Sequence, residues 1–316
     1  MDRENFGRNL VIRPNSLYTP KSESEMIEIL DKNAGRRFRC VGRLHSWSRV
    51  LECDDVLLDL RELDSVEISE SADSVVAHVG AGCQLKRLLT ILSDRQLTLP
   101  SVGFLTEQPI AGAVSTGTHG SGRHSLSHYV TSVRIARFDN ATGRAVIETV
   151  SEGDALLAAR CSLGCLGIIV SVTIQCRPAY RVEEHFSEYR DLSSVMHREA
   201  DFPLQQFYVV PWKWSCVVQH RKEVDSDVSR GLSLYRWYRY FVFDIAMHLL
   251  ILCVVRVLRV KKLVKIIFRW VLPSFVLRNW RVVGDSSAQL VMEHELFRHV
   301  EIELFVQRHH LPAALE

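Results

Sequence analysis

The stretch Pro100–Gly122, PSVGFLTEQPIAGAVSTGTHGSG, decides how the rest of the chain is read. Small residues dominate it: Gly103, Ala111, Gly112, Ala113, Ser115, Gly117, Gly120, Ser121 and Gly122. Glycine moves freely through positive φ, and small side chains let a backbone lie against a flat ligand. Such a run presents bare N–H groups to something anionic. Ser115, Thr116 and Thr118 add hydroxyl donors, and His119 adds a polar ring. A flexible Gly/Ser linker is the competing reading. The apolar residues threaded through the stretch (Leu97, Leu99, Val102, Phe104, Ile110, Val114) argue against it, because linkers carry no packed apolar side chains. The expectation is a ligand cradle inside a folded domain.

Outward from that cradle, strands and helices alternate. Ser22–Lys32 reads as a helix with a Ser22/Glu25 capping box and a Gly35 stop. Phe38–Val41 is a short strand that runs into Gly42-Arg43-Leu44-His45-Ser46. Val56–Leu60, Val66–Ile68 and Val75–Val79 are further strands, and Gly80-Ala81-Gly82 turns the chain into a helix through Leu85, Leu88, Leu89 and Leu92. Downstream, Val133–Phe138 and Ala145–Val150 flank an Asn140–Gly143 turn. Ser151–Arg160 reads as a helix boxed by Ser151 and Asp154, and Leu163-Gly164-Cys165-Leu166-Gly167 leads into the β-branched strand Ile168–Cys176. Phe207–Val210 and Ser215–Gln219 are later strands.

Leu232–Val271 is a run of Leu, Val, Phe, Trp and Arg that reads as one or two long helices ending before Pro273. Its longest uncharged stretch, Ile245–Val255, falls well short of the roughly 20 residues of a span, so a core or interfacial helix is expected. Arg256, Arg259, Lys261, Lys262, Lys265 and Arg269 admit an anionic membrane surface as a partner; an amphipathic helix packed on its own domain is the plainer expectation.

Composition bounds the function classes. The chain has 316 residues, 24% of them charged, and a net charge of +2, too small to imply a nucleic-acid partner. Eight cysteines form no Cys-x-x-Cys pair, which speaks against a zinc site. MDRENFGRNL carries no apolar signal core, so scattered thiols point to the cytoplasm. No Gly-Lys pair exists for a Walker loop. His294 and His299 sit one residue too far apart for a metalloprotease helix: about 140° rather than 40° separates them. His309-His310 reads as an exposed pair. His45 is the sharpest single candidate, because it stands in a Gly-bracketed turn after a strand, and a neutral imidazole is a nucleophile competent to hold a cofactor covalently.

Four motifs in order carry a resemblance: Gly42-x-x-His45-Ser46; Val79-Gly80-Ala81-Gly82; Ile110-Ala111-Gly112-Ala113-x-x-Thr116-Gly117-Thr118-His119-Gly120-Ser121-Gly122; and Leu163-Gly164-x-x-Gly167. Together they resemble the PCMH-type flavin domain of the vanillyl-alcohol-oxidase superfamily, on its sugar-lactone oxidase and alditol oxidase branch. The resemblance is close over about 10–180 and loose to about 307. It implies an α+β chain: a two-subdomain PCMH-type FAD-binding domain over 1–178, then an incomplete α+β cap (substrate) domain over 179–316 that holds the long helices at about 232–271. It also implies FAD, with Val41, Gly42, Arg43, Leu44, His45 and Ser46 around the pyrophosphate and His45 bonded to the flavin 8α-methyl. Gly112, Ala113, Ser115, Thr116, Gly117 and His119 would line the diphosphate and isoalloxazine, and Gly164, Gly167 and Ile169 the adenosine or ring side. Gly103 falls where relatives carry a residue that gates oxygen, and glycine leans towards an oxidase.

The reaction implied is hydride transfer from a carbinol of a sugar lactone or polyol to flavin N5, with molecular oxygen reduced to hydrogen peroxide, as in D-arabinono-1,4-lactone oxidase. Glu303–Gln307 is similar to a family strand whose proline is replaced, and a cap helix is expected to begin at Leu311. No residue present stands out as the catalytic base. A non-catalytic flavin-binding remnant and a membrane-associated dehydrogenase with another acceptor are the two rival readings.

Overall fold

A computed structural model describes residues 2–72, 74–291 and 302–315. The chain forms two compact units, residues 2–179 with 290–291 and residues 180–289 with 302–315.

The first unit holds two sheets. After a short hairpin of β1 (Arg3–Glu4) and β2 (Val11–Ile12), strands β3 (Ser16–Tyr18) and β4 (Phe38–Val41) flank β5 (Val56–Asp59) in a three-stranded parallel sheet. Parallel neighbours need a crossover, and α1 (Glu23–Lys32) supplies it between β3 and β4. Ser22 caps α1 by accepting from the Glu25 amide at 3.2 Å, while the Glu25 carboxylate reaches back to the Lys21 amide. Val56, Leu57 and Leu58 are all buried, as a central parallel strand covered on both faces requires.

The second sheet is antiparallel. Strands β6 (Val66–Glu70), β7 (Val75–Gly80), β9 (Val130–Phe138), β10 (Ala145–Val150) and β11 (Ile168–Pro178) lie in the order β10-β9-β11-β7-β6, and the two-residue β8 (Leu97–Thr98) pairs the far end of β11. Helix α1 ties the two sheets together: Glu23 pairs with Arg134 of β9 at 2.6 Å, and Asp31 accepts from the Ala145 amide. Helix α2 (Leu85–Ser93) buries Leu85, Leu88, Leu89 and Leu92. The short α3 (Ile110–Ser115) buries Ile110, Ala111, Ala113 and Val114.

Two details depart from the sequence expectations here. β11 runs through Arg177 and Pro178 instead of ending before them, because β8 pairs with those two residues. Helix α4 (Gly153–Arg160) begins two residues later than expected, and no side chain caps it. Gly153 at φ +63° redirects the chain at that point, so Ser151 never reaches a capping position.

In the second unit a four-stranded antiparallel sheet runs β13-β14-β12-β15, formed by β12 (Arg181–Tyr189), β13 (Gln206–Val209), β14 (Cys216–Val224) and β15 (Val282–Asp285), with α5 (Leu192–His197) against β12 and β14. Its buried polar core is an ion network. Glu184, fully buried, accepts from Arg221 Nε at 2.6 Å and Tyr235 Oη at 2.5 Å, and lies 3.5 Å from Arg239. Burial pushes the Glu184 carboxyl up, but the two guanidiniums and the phenol outweigh it and hold it below the usual carboxylate range. Next to it, His185 and His220 face each other across β12 and β14 with ring centroids 5.1 Å apart.

The long apolar run corrects its expectation most. The helical segment Leu232–Leu258 spans 27 residues in α-helical turns mixed with wider π-type turns, beginning with α6 (Leu232–Arg239). Arg259 at φ +51° breaks it, and a second segment from 261 to 274 returns, passing Pro273 rather than ending before it. Within the longer segment an 18-residue window reaches a mean hydropathy of 2.3, and only 6% of that window is buried. It is long and apolar enough to cross a membrane by length and composition, and it is not packed on its own unit as expected. Only its first turns meet the sheet: Leu232 and Tyr235 join Phe186, Val217 and Val282 in one core cluster. Tyr238 and Phe243 pack on the same cluster, with Phe243 stacked on Phe186 at 5.6 Å, and farther along the segment packs against the return through Val254, Ile267 and Leu272. Residues 302–307 carry no strand pairing among the described residues, in contrast to the expected strand at Glu303–Gln307; a short helix does begin at Leu311.

Candidate functional site

The site begins where β4 ends. Val41 turns its side chain into the core with Ile12, Leu51 and Leu57, and the chain then leaves the sheet as a loop. Gly42 is required there: a Cβ would lie 2.5 Å from Pro109 Cγ, so the loop presses directly on the residue before α3. Arg43 reaches Gln84 at 3.3 Å, and Gln84 is bridged to Pro109 and donates to the Glu107 carbonyl. Leu44 takes a left-handed φ of +58°, unusual for a branched side chain, which lifts the next residue off the strand direction.

That next residue is His45. Its ring stacks on Phe6, with centroids 4.8 Å apart and planes 21° from parallel. Nδ1 is buried with no hydrogen-bond partner. Burial holds the imidazole below its ordinary range against the pull of Glu107, and Arg43 adds to the lowering. The ring is therefore neutral at pH 7, with a desolvated nitrogen that nothing in the protein uses.

A segment that the motif reading passed over holds this loop in place. Asn5 is buried; its amide donates to the Ser46 carbonyl and to Asn9, while its carbonyl accepts from the Asn9 and Leu10 amides. Asn9 donates to the Trp47 carbonyl, and the Phe6 amide donates to the Leu44 carbonyl. The signal was present in the sequence as Asn5-x-Gly7-x-Asn9, a turn pattern beside the aromatic Phe6.

The second wall is the glycine-rich stretch. Pro109 starts α3, where Ile110 and Ala111 amides bond back to the carbonyls of Cys83 and Ala81. Gly112 and Thr116 are exposed on α3 and its end, and Ala113 is fully buried. Gly117 at φ +72° turns the chain, and Thr118 Oγ1 donates to Gln108. Gly103 and Gly120 interlock: a Cβ on Gly120 would meet the Val102 carbonyl at 2.5 Å, one on Gly103 would meet the His119 carbonyl at 3.1 Å, and the Gly120 amide donates to Ser101. His119 is half-buried, with Nδ1 3.2 Å from the Gly120 carbonyl.

The third wall is the loop before β11. The Ser115 carbonyl accepts from the Leu163 amide at 3.4 Å and from Cys161 Sγ. Leu163 and Gly164 are consecutive left-handed residues, and a Cβ on Gly164 would meet nothing, so that turn is open. Gly167, at φ +129°, packs on the Ala136 carbonyl instead, and Ile169 is buried in the sheet. The structure thus joins the 42–46 loop to α3, the 101–103 segment to 118–120, and the 161–164 loop to 115–117. Val41, Ala113 and Ile169 support these walls from inside, since their side chains are covered by protein. His294 and His299 lie outside the described residues; His309 and His310 are exposed.

Residues 14–147 match the profile of an FAD binding domain. This stretch is an FAD-binding domain of the PCMH type. It is 54% identical over 313 residues to a long-chain alcohol oxidase from an uncultured marine euryarchaeote, a match covering 99% of this chain and 65% of that protein. It is 32% identical over 216 residues to an L-gulono-1,4-lactone dehydrogenase from Mycobacterium tuberculosis, covering 66% of this chain and 49% of the relative. The chain therefore spans about half to just under two thirds of these relatives' length. Among solved structures, a solvent-stable cholesterol oxidase superposes with a TM-score of 0.70 over 92% of this chain and 61% of its own, at 15% identity, which speaks to the fold alone. The residues fit the cofactor of such a domain: an orphaned buried imidazole nitrogen, left-handed turns with exposed backbone, and walls where a Cβ would clash.

Proposed function

We propose that this chain is the flavin-binding part of an FAD-dependent oxidase acting on a carbinol, with the flavin held covalently through His45. When bound, FAD supplies the two-electron chemistry, taking hydride from the carbinol carbon and giving the electrons to oxygen as hydrogen peroxide. The protein's part is to position and shield. The 42–46 loop, α3 with the 115–119 turn, and the 163–167 loop offer backbone N–H groups and small residues to a diphosphate and a flat ring. Phe6 and Asn5 fix the His45 ring, and burial keeps it neutral and nucleophilic. The observation that carries this reading is the desolvated, unpartnered Nδ1 of His45, in a loop seated against Pro109 at the head of the glycine-rich helix.

For the substrate we favour a long-chain alcohol over a sugar lactone or polyol. The lactone relative aligns with only 66% of this chain, whereas the long-chain alcohol oxidase aligns with 99% of it, cap included. The D-arabinono-1,4-lactone oxidase-like reading stays as the second one, because a D-arabinono-1,4-lactone oxidase is 36% identical to this chain over 179 residues. Peroxide release from purified flavinylated protein, with primary alcohols from butanol to hexadecanol beside gulonolactone, arabinonolactone and xylitol, separates them. Turnover rising with alcohol length supports the first reading; turnover of the polyhydroxy compounds alone overturns it.

A further inference from the structure

We propose that the helical hairpin of the second unit, residues 232–274, docks the protein in the plane of an anionic lipid bilayer. The long segment meets its own unit as far as Phe243, which stacks on Phe186, and the return meets it where Phe268 lies edge-on to Trp212; the outer faces stay uncovered. At its root, Tyr235 is buried and bonded to Glu184, Leu232 packs into the sheet cluster, and Tyr238 accepts from the Leu277 amide while donating to the Phe275 carbonyl. Beyond the root, the two segments bury Val254, Ile267 and Leu272 against each other and leave their outer faces open. Leu234, Trp237, Phe241, Leu249, Leu252 and Val255, at helical spacing, form one exposed apolar stripe on the long segment, and Ile266 and Trp270 continue it on the return. An apolar stripe of this length, with Trp237 60% and Trp270 57% exposed, has no place in water and does not close on its own unit.

Charge selects the occupant. Residues 232–274 hold eight Lys and Arg against one Asp, a net +7, in a chain whose total is +2. The remainder is therefore net −5. Arg256, Arg259, Lys262 and Lys265 are exposed around the turn. A second copy of this chain would set +7 against +7 if hairpin met hairpin, so self-pairing is disfavoured. An anionic headgroup layer takes both the cations and the apolar stripe. The same cations set the depth. The long segment could reach about 40 Å and the return only about 21 Å, less than the roughly 30 Å hydrocarbon thickness. Tip-first insertion would bury the basic turn in hydrocarbon, whereas lying flat leaves the cations among headgroups and seats the tryptophans at the interface.

The test uses the whole chain with sucrose-loaded vesicles of phosphatidylcholine, with and without phosphatidylglycerol. Expected is co-sedimentation with the anionic vesicles at least about tenfold stronger than with the neutral ones, weakening as salt rises. A quadruple variant R256Q/R259Q/K262Q/K265Q loses the preference for anionic lipid. A triple variant W237S/F241S/W270S, altered only at exposed positions, loses binding that survives high salt. Unchanged circular dichroism and FAD content show that both variants fold. The proposal is overturned if the native protein stays in the supernatant, if both variants pellet as the native protein does, or if sedimentation equilibrium shows a dimer that the triple variant dissolves. None of these readouts depends on the substrate or on covalent flavin.

Discussion

At the scale of single residues, two glycines separate stability from ligand binding. A Cβ on Gly82 would lie 1.8 Å from the Leu60 carbonyl oxygen, a backbone atom with nowhere to go. Gly82→Ala is expected to cost about 3 kcal/mol or more in denaturant unfolding, from overpacking. A Cβ on Gly42 would meet the Pro109 ring instead, and that ring can shift. Gly42→Ala is expected to leave the melting temperature nearly unchanged while weakening FAD uptake by about tenfold in fluorescence titration, because it wedges the His45 loop away from α3. His45 was legible from the sequence as a histidine in a strand-following turn. Its stacking on Phe6 and its orphaned nitrogen were not, since both depend on contacts across some forty residues of chain.

At the scale of elements, the β1–β2 hairpin is a clamp on the 42–47 loop. Removing the Asn5 side chain leaves the Ser46 carbonyl and two amides without their partner. Asn5→Ala is expected to cost about 1–3 kcal/mol in chemical denaturation and to slow flavin attachment. Helix α1, β4 and β10 match the periodicity and capping reasons that predicted them, because those reasons are local. The misses are non-local. The start of α4 was set by Gly153 at positive φ and not by the Ser151 box. β11 ran on through Pro178 because β8 meets it there. The apolar run at 232–271 had the pattern of a packed helix, but only its first turns meet the sheet and the remainder meets the return segment, and pattern alone does not say which neighbour covers a face.

At the scale of the whole molecule, the two units differ in what stabilises them. FAD binds the first unit, so saturating FAD at 100 times its dissociation constant adds about 2.7 kcal/mol to the unit that holds the site. Calorimetry is expected to show one transition move and the other stay. The second unit rests on Glu184, Arg221, Arg239 and Tyr235. Glu184→Gln removes the counter-charge that Arg221 and Arg239 share and is expected to lower that unit's stability by about 3 kcal/mol.

The second unit also carries an acid-sensitive histidine pair. Burial, helped by His185 and Arg198, brings His220 down to about 4, and His185 is lowered too, chiefly by burial. A histidine depressed on folding takes up its proton more readily when unfolded, so stability is full above about pH 6.5 and falls as pH drops from there towards 4. His220→Gln should flatten that slope in a melting series. Much of the flavin domain could be read from ordered glycine motifs, whereas this network could not, because Glu184 and Arg221 look like any charged strand residues until pairing places them inside.

The most direct measurement of the central claim is mass analysis of the tryptic peptide Leu44–Arg49 from protein purified with FAD bound. The account predicts a chain that stays yellow through acid precipitation, with that peptide carrying the added mass of FAD on His45, and no such adduct in His45→Ala. A protein that binds FAD stoichiometrically yet yields an unmodified Leu44–Arg49 peptide would contradict the covalent assignment, and one that takes up no FAD would contradict the site itself.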